Sequence, residues 1–332
     1  MVRLEIERFR FNRLLLLAIG LWPFQKSKFA QVQFPVFLII LITFIVFQFT
    51  TFVTSDCTTD FIIKILSVAF FFIFLTTKYN SFWINADTVK LSLEQILYTY
   101  NELKNKNEID ILENYGKVAQ IYTAVLTTMW IGVTAILAVG TMFLTYFWYI
   151  CGMFNIASFR FEKAMMTSIL QNITQENEIL IYKGVIYAID IHLKATQFSQ
   201  YFIKSFEGSF FFIILSGIVS ASCSLVEIAS IKNIEEFVLF SAIIFILYLY
   251  TAMANYTAQE VMDHNNRVFA TAYNVKWYIA PLRIQKMLIF LLLRGNKAFN
   301  LNLGGLFVGS LESAAMLTSA SITYFTVLYS LR

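Results

Sequence analysis

The sequence predicts an all-α, polytopic helical membrane protein. Hydrophobic residues make up 58% of the 332 residues and charged residues only 14%, whereas soluble domains average about a quarter charged. Charged residues are absent from 29–55, 118–159, 208–226 and 237–259. Each of these stretches approaches or exceeds the roughly 20 residues with which a helix crosses a bilayer. We therefore expect a bundle of membrane-spanning helices.

Six basic residues precede the first expected span. They are Arg3, Arg8, Arg10, Arg13, Lys26 and Lys28. Cytoplasmic segments are enriched in Lys and Arg, so the segment 1–32 is expected to be cytoplasmic. Its apolar spacing predicts a short interfacial helix that ends at Gly20-Leu21-Trp22-Pro23. The next span, 61–83, carries Lys64 and Lys78 near its two ends, whose side chains we expect to extend toward the interfaces.

The stretch 118–159 is difficult to divide. As one helix its 42 residues would measure about 60 Å, twice the hydrocarbon thickness. Two antiparallel spans would need a turn, for which only Gly132 and Gly140 are available, without polar neighbours. The favoured interpretation is one long helix that protrudes from the membrane. The transmembrane bundle as a whole is expected within 33–261.

The second half alternates amphipathic and apolar segments. The mixed segment 160–206 predicts an amphipathic helix that leads directly into the span 208–226. Its expected buried stripe is Ile179, Tyr182, Ile186, Ile189 and Leu193. A basic stretch, 262–303, follows the span 237–258 and is expected to be cytoplasmic. An interruption at 295–302 predicts that the last helix is broken, with its final part in 304–332.

No motif indicates an enzyme, a cofactor or a nucleic-acid partner, since the sequence lacks phosphate-loop, nucleophile-elbow and zinc-protease signatures. Cys57, Cys151 and Cys223 have neither disulfide nor zinc spacing. For His192 and His264 a structural role is favoured over metal binding. The expectation is therefore no catalytic residue, no metal and no cofactor.

The last helix combines an apolar character with many small and hydroxyl residues. Gly305 and Gly309 fit close helix packing, and they also fit the lining of a passage. Glu312 is the only acid in this span. It is either a boundary carboxylate in water or a group that attracts cations at a channel mouth, and both interpretations stay open.

Several stretches resemble insect odorant receptors, particularly those of ants, bees and wasps. They are Asn12-Arg13 with Gly20-Leu21-Trp22-Pro23, Cys151-Gly152-Met153-Phe154 with Ser158-Phe159-Arg160-Phe161-Glu162, Ala272-Tyr273-Asn274 with Trp277-Tyr278, Pro281-Leu282 with Gln285-Lys286, and Thr323-Tyr324-Phe325-Thr326-Val327-Leu328. Gustatory receptors more often end in a Gln-Phe pair, where this chain has Ser330-Leu331. A gustatory-type chemoreceptor is kept as an alternative.

The resemblance implies an odorant-gated, non-selective cation channel subunit in the plasma membrane of olfactory sensory neurons. Such proteins have seven spans, an intracellular N-terminus and an extracellular C-terminus, and they form hetero-tetramers with a shared odorant co-receptor. The segment 262–303 would belong to a cytoplasmic anchor between subunits, and 304–332 would line the pore. By alignment, Val327 and Leu331 would form the gate, with Glu312 at the inner mouth.

The resemblance also implies a site for a small, apolar, volatile odorant among the second, third, fourth and sixth helices. Depth and chemistry select the candidate contacts, which are Phe70, Trp130, Phe240, Ser241 and Phe245. Apart from odorant and co-receptor, the expected partner is membrane lipid.

The sequence departs from the family near 123–140. A long extracellular loop should separate helices three and four, yet here the two helix motifs adjoin, which leaves six expected spans. Three arrangements remain open: a cramped hairpin, a helix that enters without crossing, or inversion of the second half. A secondary transporter is the alternative from another class, but spans with so few ionisable residues argue against it.

Overall fold

The computed structural model describes residues 9–25, 28–54, 58–129, 134–166, 174–230, 233–303 and 307–331. Within these ranges the protein is almost entirely helical, as predicted. The helices are α1 (Arg10–Ala18), α2 (Lys28–Thr54), α3 (Thr59–Ile84), α4 (Ala86–Glu102), α5 (Lys106–Met129), α6 (Thr134–Ala164), α7 (Gln175–Ala229), α8 (Ile234–Asn274), α9 (Leu282–Gly295) and α10 (Leu311–Ser330). A 3-10 turn, Trp277–Ile279, precedes α9, and two short strands, β1 (Asn302–Leu303) and β2 (Phe307–Val308), precede α10.

Among the described residues, five helices are long and apolar enough to cross a membrane: Val32–Phe52, Thr59–Ile84, Val139–Ala164, Gln175–Ala229 and Ile234–Asn274. They coincide with five of the six predicted spans, so the protein is a multi-pass membrane protein. The final helix α10 is not among the five because Ser and Thr residues lower its hydropathy.

The stretch 118–159 forms two helices, so the predicted single protruding helix is wrong. α5 and α6 run antiparallel, because Glu108 near the start of α5 binds Arg160 near the end of α6, and Tyr122 stacks on Trp148 midway. Leu112 packs where Gly152 leaves room, since a Cβ there would lie 2.8 Å from Leu112 Cδ1. Because Gly152 has no side chain, α5 and α6 can approach closely. No polar residues in the sequence between them indicate a turn.

The α5–α6 hairpin returns to the side from which it starts, since Arg160 near its end binds Glu108 near its start. The charge-free part of α5, 118–129, is about 18 Å long, against roughly 30 Å of hydrocarbon. Arg160 therefore lies on the same side as Glu108, and the segment that follows α6 continues from that side. Of the three arrangements left open by the sequence, the structure shows a hairpin. Asn172, a potential glycosylation acceptor, lies outside the described residues.

The long helix α7 runs without interruption from the polar segment through the expected span, as predicted, but its buried stripe is displaced. Ile179 and Leu193 are exposed, whereas Ile181, Val185 and Ala188 are buried. Small residues explain the shift: a Cβ on Gly184 would lie 2.7 Å from Ala164 Cβ. The prediction counted only large apolar residues. It left out Ala and Gly, although these small residues lie where α6 and α7 are closest.

The last helical segment is broken, as predicted. α9 ends at Gly295, and β1 pairs antiparallel with β2, with Asn302 opposite Val308. α10 begins only at Leu311. The predicted start near Gly304 is therefore too early, because the chain forms the short strand pair before the helix.

Candidate functional site

An apolar cavity of about 130 Å³ lies inside the bundle. Its wall is formed by α3, α6, α7, α8, the strand pair and α10. The lining includes Phe74, Lys78, Gly140, Tyr250, Leu317 and Ser321. Because Leu317 and Ser321 belong to α10, an occupant of this cavity would touch the final helix directly.

Lys78 is the one charged residue among the described residues that line the cavity. Its side chain is 2% exposed, and its ammonium lies 3.3 Å from the centre of the Tyr250 ring and 5.4 Å from that of Phe74. It has neither hydrogen bond nor salt bridge to another described residue. The predicted extension of Lys78 to the interface is therefore wrong.

The environment of Lys78 compensates only part of the cost of burying a charge. Removing an ammonium from water costs several kcal/mol, while a desolvated cation–π contact returns about 2 kcal/mol. Gly140 keeps the space open, since a Cβ there would lie 3.5 Å from Lys78 Nζ and 3.0 Å from Tyr250 Cε2. The site thus holds a buried lysine amine without a counter-ion among the described residues.

α10 is seated on the bundle by its small residues. Ser313, Leu317 and Ser321 are its buried residues, and they recur every four positions, which places them on one face. The Ser222 hydroxyl of α7 donates a hydrogen bond to the Ser321 carbonyl at 3.0 Å. Phe325 extends this face and packs against a buried cluster that includes Cys223.

The start of α10 is fixed by α8. The Ser310 N–H donates to Asn255 Oδ1 at 3.2 Å, and the Ser313 N–H donates to the Ser310 hydroxyl at 3.1 Å, which caps the helix. Gly309 permits this approach, because a Cβ there would lie 2.6 Å from Ala258 Cβ. Gly309 therefore serves close packing, whereas Gly305 lies outside the described residues.

The opposite face of α10 carries a polar stripe, which we define as Glu312, Ser319, Thr323, Thr326 and Ser330. At 100° per residue these positions fall within about 40° of one line, roughly opposite the buried face. All five are exposed in the single chain. The three last hydroxyls bond to carbonyls of their own helix, so the helix tolerates them without external partners.

The gate and mouth residues chosen from the sequence all lie on the exposed side of α10. Val327 is 50% and Leu331 72% exposed, and Glu312 occupies the first turn. Val327 lies about 60° and Leu331 about 100° from the centre of the polar stripe. Exposure in one chain is compatible with a role between subunits, and the assignment stays a prediction.

The four described odorant contacts among those chosen from the sequence do not line the cavity. Phe240 is fully buried in the same apolar cluster as Phe74, one layer behind the wall. Phe245 is 47% exposed, Phe70 and Ser241 are half-buried, and Trp130 lies outside the described residues. Sequence reasoning missed Lys78, although an ionisable residue within a span was a usable signal.

The two histidines lie beyond the charge-free spans and are built into the helix packing. His264 Nδ1–H donates to the Glu260 carbonyl at 2.8 Å, and the Tyr115 hydroxyl lies 2.6 Å from Nε2. Burial raises the pKa of Tyr115 to about 12, so the phenol keeps its proton and donates it. His192 Nε2 lies 2.9 Å from Asn265 Oδ1. Both rings therefore have structural roles.

Within the described ranges, no group of three or more His, Cys, Asp or Glu side chains is placed to hold a metal ion. Cys151 and Cys223 are buried free thiols, and Cys57 lies outside those ranges. The long apolar helices and the internal cavity define a multi-pass helical membrane protein with a ligand-sized site inside its bundle.

Comparison with known proteins gives the family. The family model described as 7tm Odorant receptor matches residues 56–322. The fold is similar to insect olfactory receptor OR5 from Machilis hrabei, with TM-scores of 0.75 for its complex with eugenol and 0.69 for a second structure of the same receptor. In both comparisons the identity is 15%, and the alignment covers 100% of this chain and 99% of the other. No curated protein matches the sequence.

The chain belongs to the insect odorant receptor family, because the family model covers most of its length. The resemblance noted in the sequence is confirmed, and the gustatory and transporter alternatives fall away. The solved structures support the fold, and one of them holds an odorant, eugenol.

Proposed function

We propose that this chain is an odorant-binding subunit of a non-selective cation channel, assembled with co-receptor subunits in the plasma membrane of olfactory sensory neurons. Its N-terminus is cytoplasmic and α10 lines the pore. A small apolar odorant occupies the bundle and biases α10 toward an open arrangement, because a ligand shifts an equilibrium by binding one state more tightly.

The observation that carries this proposal is the polar stripe of α10. A helix surrounded by lipid gains nothing from a line of hydroxyls, whereas a water-filled passage hydrates them. The carboxylate of Glu312 at the first turn of α10 would raise the local concentration of cations. The opposite face is packed on the bundle through Leu317 and Ser321, so only the stripe side is available to a passage.

Cysteine accessibility tests the pore assignment. Thr323→Cys and Thr326→Cys should make odorant-evoked current sensitive to a charged thiol reagent in cells that also express the co-receptor. The matched control is Tyr324→Cys, because Tyr324 is 58% exposed but lies about 120° from the centre of the stripe. Equal block at Tyr324→Cys, or no block at either stripe position in a conducting channel, would reject the assignment.

The proposal as a whole is tested by current. Cells that express this chain with the co-receptor should show odorant-evoked, non-selective cation current, and cells that express the co-receptor alone should lack the response to the same odorant. Surface labelling of the chain provides the control for delivery to the membrane. A chain that reaches the surface with the co-receptor and adds no odorant response over a broad odorant panel would contradict the proposal.

A further inference from the structure

The cavity beside Lys78 differs from a purely apolar odorant site. It contains a buried ammonium, and no Asp or Glu occurs among the described residues that line it. A smaller adjoining cavity of about 70 Å³ also has Lys78 in its wall, again without an acid among the described residues. A protonated Lys78 therefore has no counter-charge among the described residues on either side.

We propose that this cavity binds a small carboxylate ligand, whose head group pairs with the Lys78 ammonium while its apolar tail lies against Phe74 and Leu317. The inference deepens the proposed function and rests on it, since it names the chemical class of ligand that this receptor takes. It concerns a position at the junction of α3, α6, α8 and α10, distinct from the four described contacts selected from the sequence.

Charge selects the head group. A carboxylate supplies both the counter-charge and the acceptors that an ammonium requires, and charge-assisted hydrogen bonds are stronger than neutral ones. A neutral amide supplies an acceptor without the charge, and an amine would add a second cation to a site of low dielectric. The cavity should therefore rank carboxylate before amide, and amide before amine.

Volume selects the tail. The cavity of about 130 Å³ is close in size to an engineered protein cavity of about 150 Å³ that holds benzene. A short acid of about four to six carbons is of this size. Its tail would meet a wall of Phe, Leu and Ile side chains, to which Tyr248 adds a buried phenol hydroxyl.

The position of the cavity connects ligand and pore helix. Lys78 is contributed by α3, whereas Leu317, Thr318 and Ser321 in the same wall are contributed by α10. An acid held at Lys78 would thus touch the buried face of α10. A ligand with this contact can favour one seating of the helix over another.

Binding to the full chain in lipid nanodiscs tests the proposal without measuring current. Ligand-observed NMR compares pentanoate with pentanamide, which has the same shape and no charge, and with pentylamine. The wild type should bind pentanoate about tenfold or more tightly than pentanamide. Equal binding of pentanoate and pentanamide, or tighter binding of pentylamine, would overturn the proposal.

Two lysine variants on the same helix locate the site. Lys78→Met removes the charge at similar volume and should abolish the preference while pentanamide still binds, which also shows that the variant is folded. Lys64→Met removes a charge that pairs with Glu236 at 2.5 Å and should keep the preference. If Lys78→Met does not fold, Lys78→Arg must keep the preference. Loss of the preference for pentanoate in Lys78→Arg, or its persistence in Lys78→Met, would overturn the assignment of Lys78.

Oleate distinguishes a membrane fatty acid from a short free acid, since both have the same head group. Tighter Lys78-dependent binding of oleate than of pentanoate would overturn a short acid as the ligand. The proposed function fails separately: Lys78-dependent pentanoate binding without any odorant response would contradict the channel and leave the site standing. Current evoked only by neutral odorants, with no pentanoate binding, would contradict the carboxylate site and leave the channel standing.

Discussion

Arg160 and Glu108 form a two-pronged salt bridge that joins the end of α6 to the start of α5. Arg160 Nε donates to Glu108 Oε1 at 3.0 Å, and Nη2 donates to Oε2 at 2.9 Å. A third donor, Nη1, reaches the Tyr187 carbonyl of α7 at 3.0 Å. One guanidinium thus fixes three helices, and it keeps both ends of the α5–α6 hairpin on one side of the apolar region.

Glu108→Ala should destabilise the protein by about 3 kcal/mol, because it leaves a largely buried guanidinium without its partner. The matched control is Glu94→Ala. Glu94 pairs with Lys90 at 3.9 Å on an exposed surface, and such pairs contribute less than about 1 kcal/mol. Thermal unfolding of the solubilised chain measures both variants. Equal stability of the two would show that the salt bridge does not hold the hairpin.

Gly184→Ala and Gly208→Ala should have opposite effects, although both lie on α7. The added Cβ at position 184 would lie 2.7 Å from Ala164 Cβ, whereas nothing lies within 4 Å at position 208. Forcing α6 and α7 apart should cost about 1–3 kcal/mol. The second change should be neutral or stabilise by up to about 1 kcal/mol through helix propensity. Thermal unfolding midpoints that move in the same direction for both would contradict the close helix contact.

Val327→Ser and Leu331→Ser should raise the basal current of the channel formed with the co-receptor. A hydrophobic constriction closes a pore by excluding water, and a hydroxyl at that point favours hydration. Whole-cell current without odorant is the measurement, normalised to surface expression. Leu317→Ser tests the buried face instead and should reduce surface expression without raising basal current per channel. Unchanged basal current for both gate variants would remove Val327 and Leu331 from the gate.

Acidification should destabilise the packing around the histidines. Burial lowers the pKa of His192 and of His264 below the ordinary value, despite the Glu260 carboxylate 3.6 Å from His264 Nδ1. The unfolded chain therefore binds more protons, so stability is complete above about pH 6.5 and falls as the pH decreases from there.

His264→Gln should weaken this pH dependence, since it keeps a hydrogen-bonding side chain and removes one titrating group. Unfolding midpoints recorded between about pH 7.5 and 5.5 measure the slope. A wild-type midpoint that rises on acidification would contradict the assigned direction. An unchanged slope in His264→Gln would assign the effect to other groups.

Charge-free runs were sufficient to predict the number and place of most long helices, because hydrophobic length is a local property. The break after Gly295 was also predictable from local signals. The α5–α6 hairpin was not, since the sequence between the two helices has no polar residues and the closeness of the helices depends on Leu112 meeting Gly152. Contacts between residues about 40 positions apart leave no local signature in one sequence.

The cavity, too, depends on contacts between distant residues that one sequence does not reveal. The position of Lys78 in a span was visible, but no local pattern pairs it with the Tyr250 ring, which is contributed by another helix. Because Lys78 lies near one end of the predicted span, its side chain was expected to extend to the membrane interface. For α10 the sequence predicted a small-residue helix, and the structure separates its two faces into the buried line through Leu317 and the polar stripe.

The uninterrupted length of α7 lets a small tilt of this helix produce a large displacement at its ends. Its 55 residues form a rod of about 80 Å, of which one part contacts α10 through Ser222 and another lies beside His192 and Asn265. A tilt of about 5° over that length displaces one end by about 7 Å. Small movements beside α10 are therefore magnified at the far end of α7, and movements at that end reach α10 by the same helix.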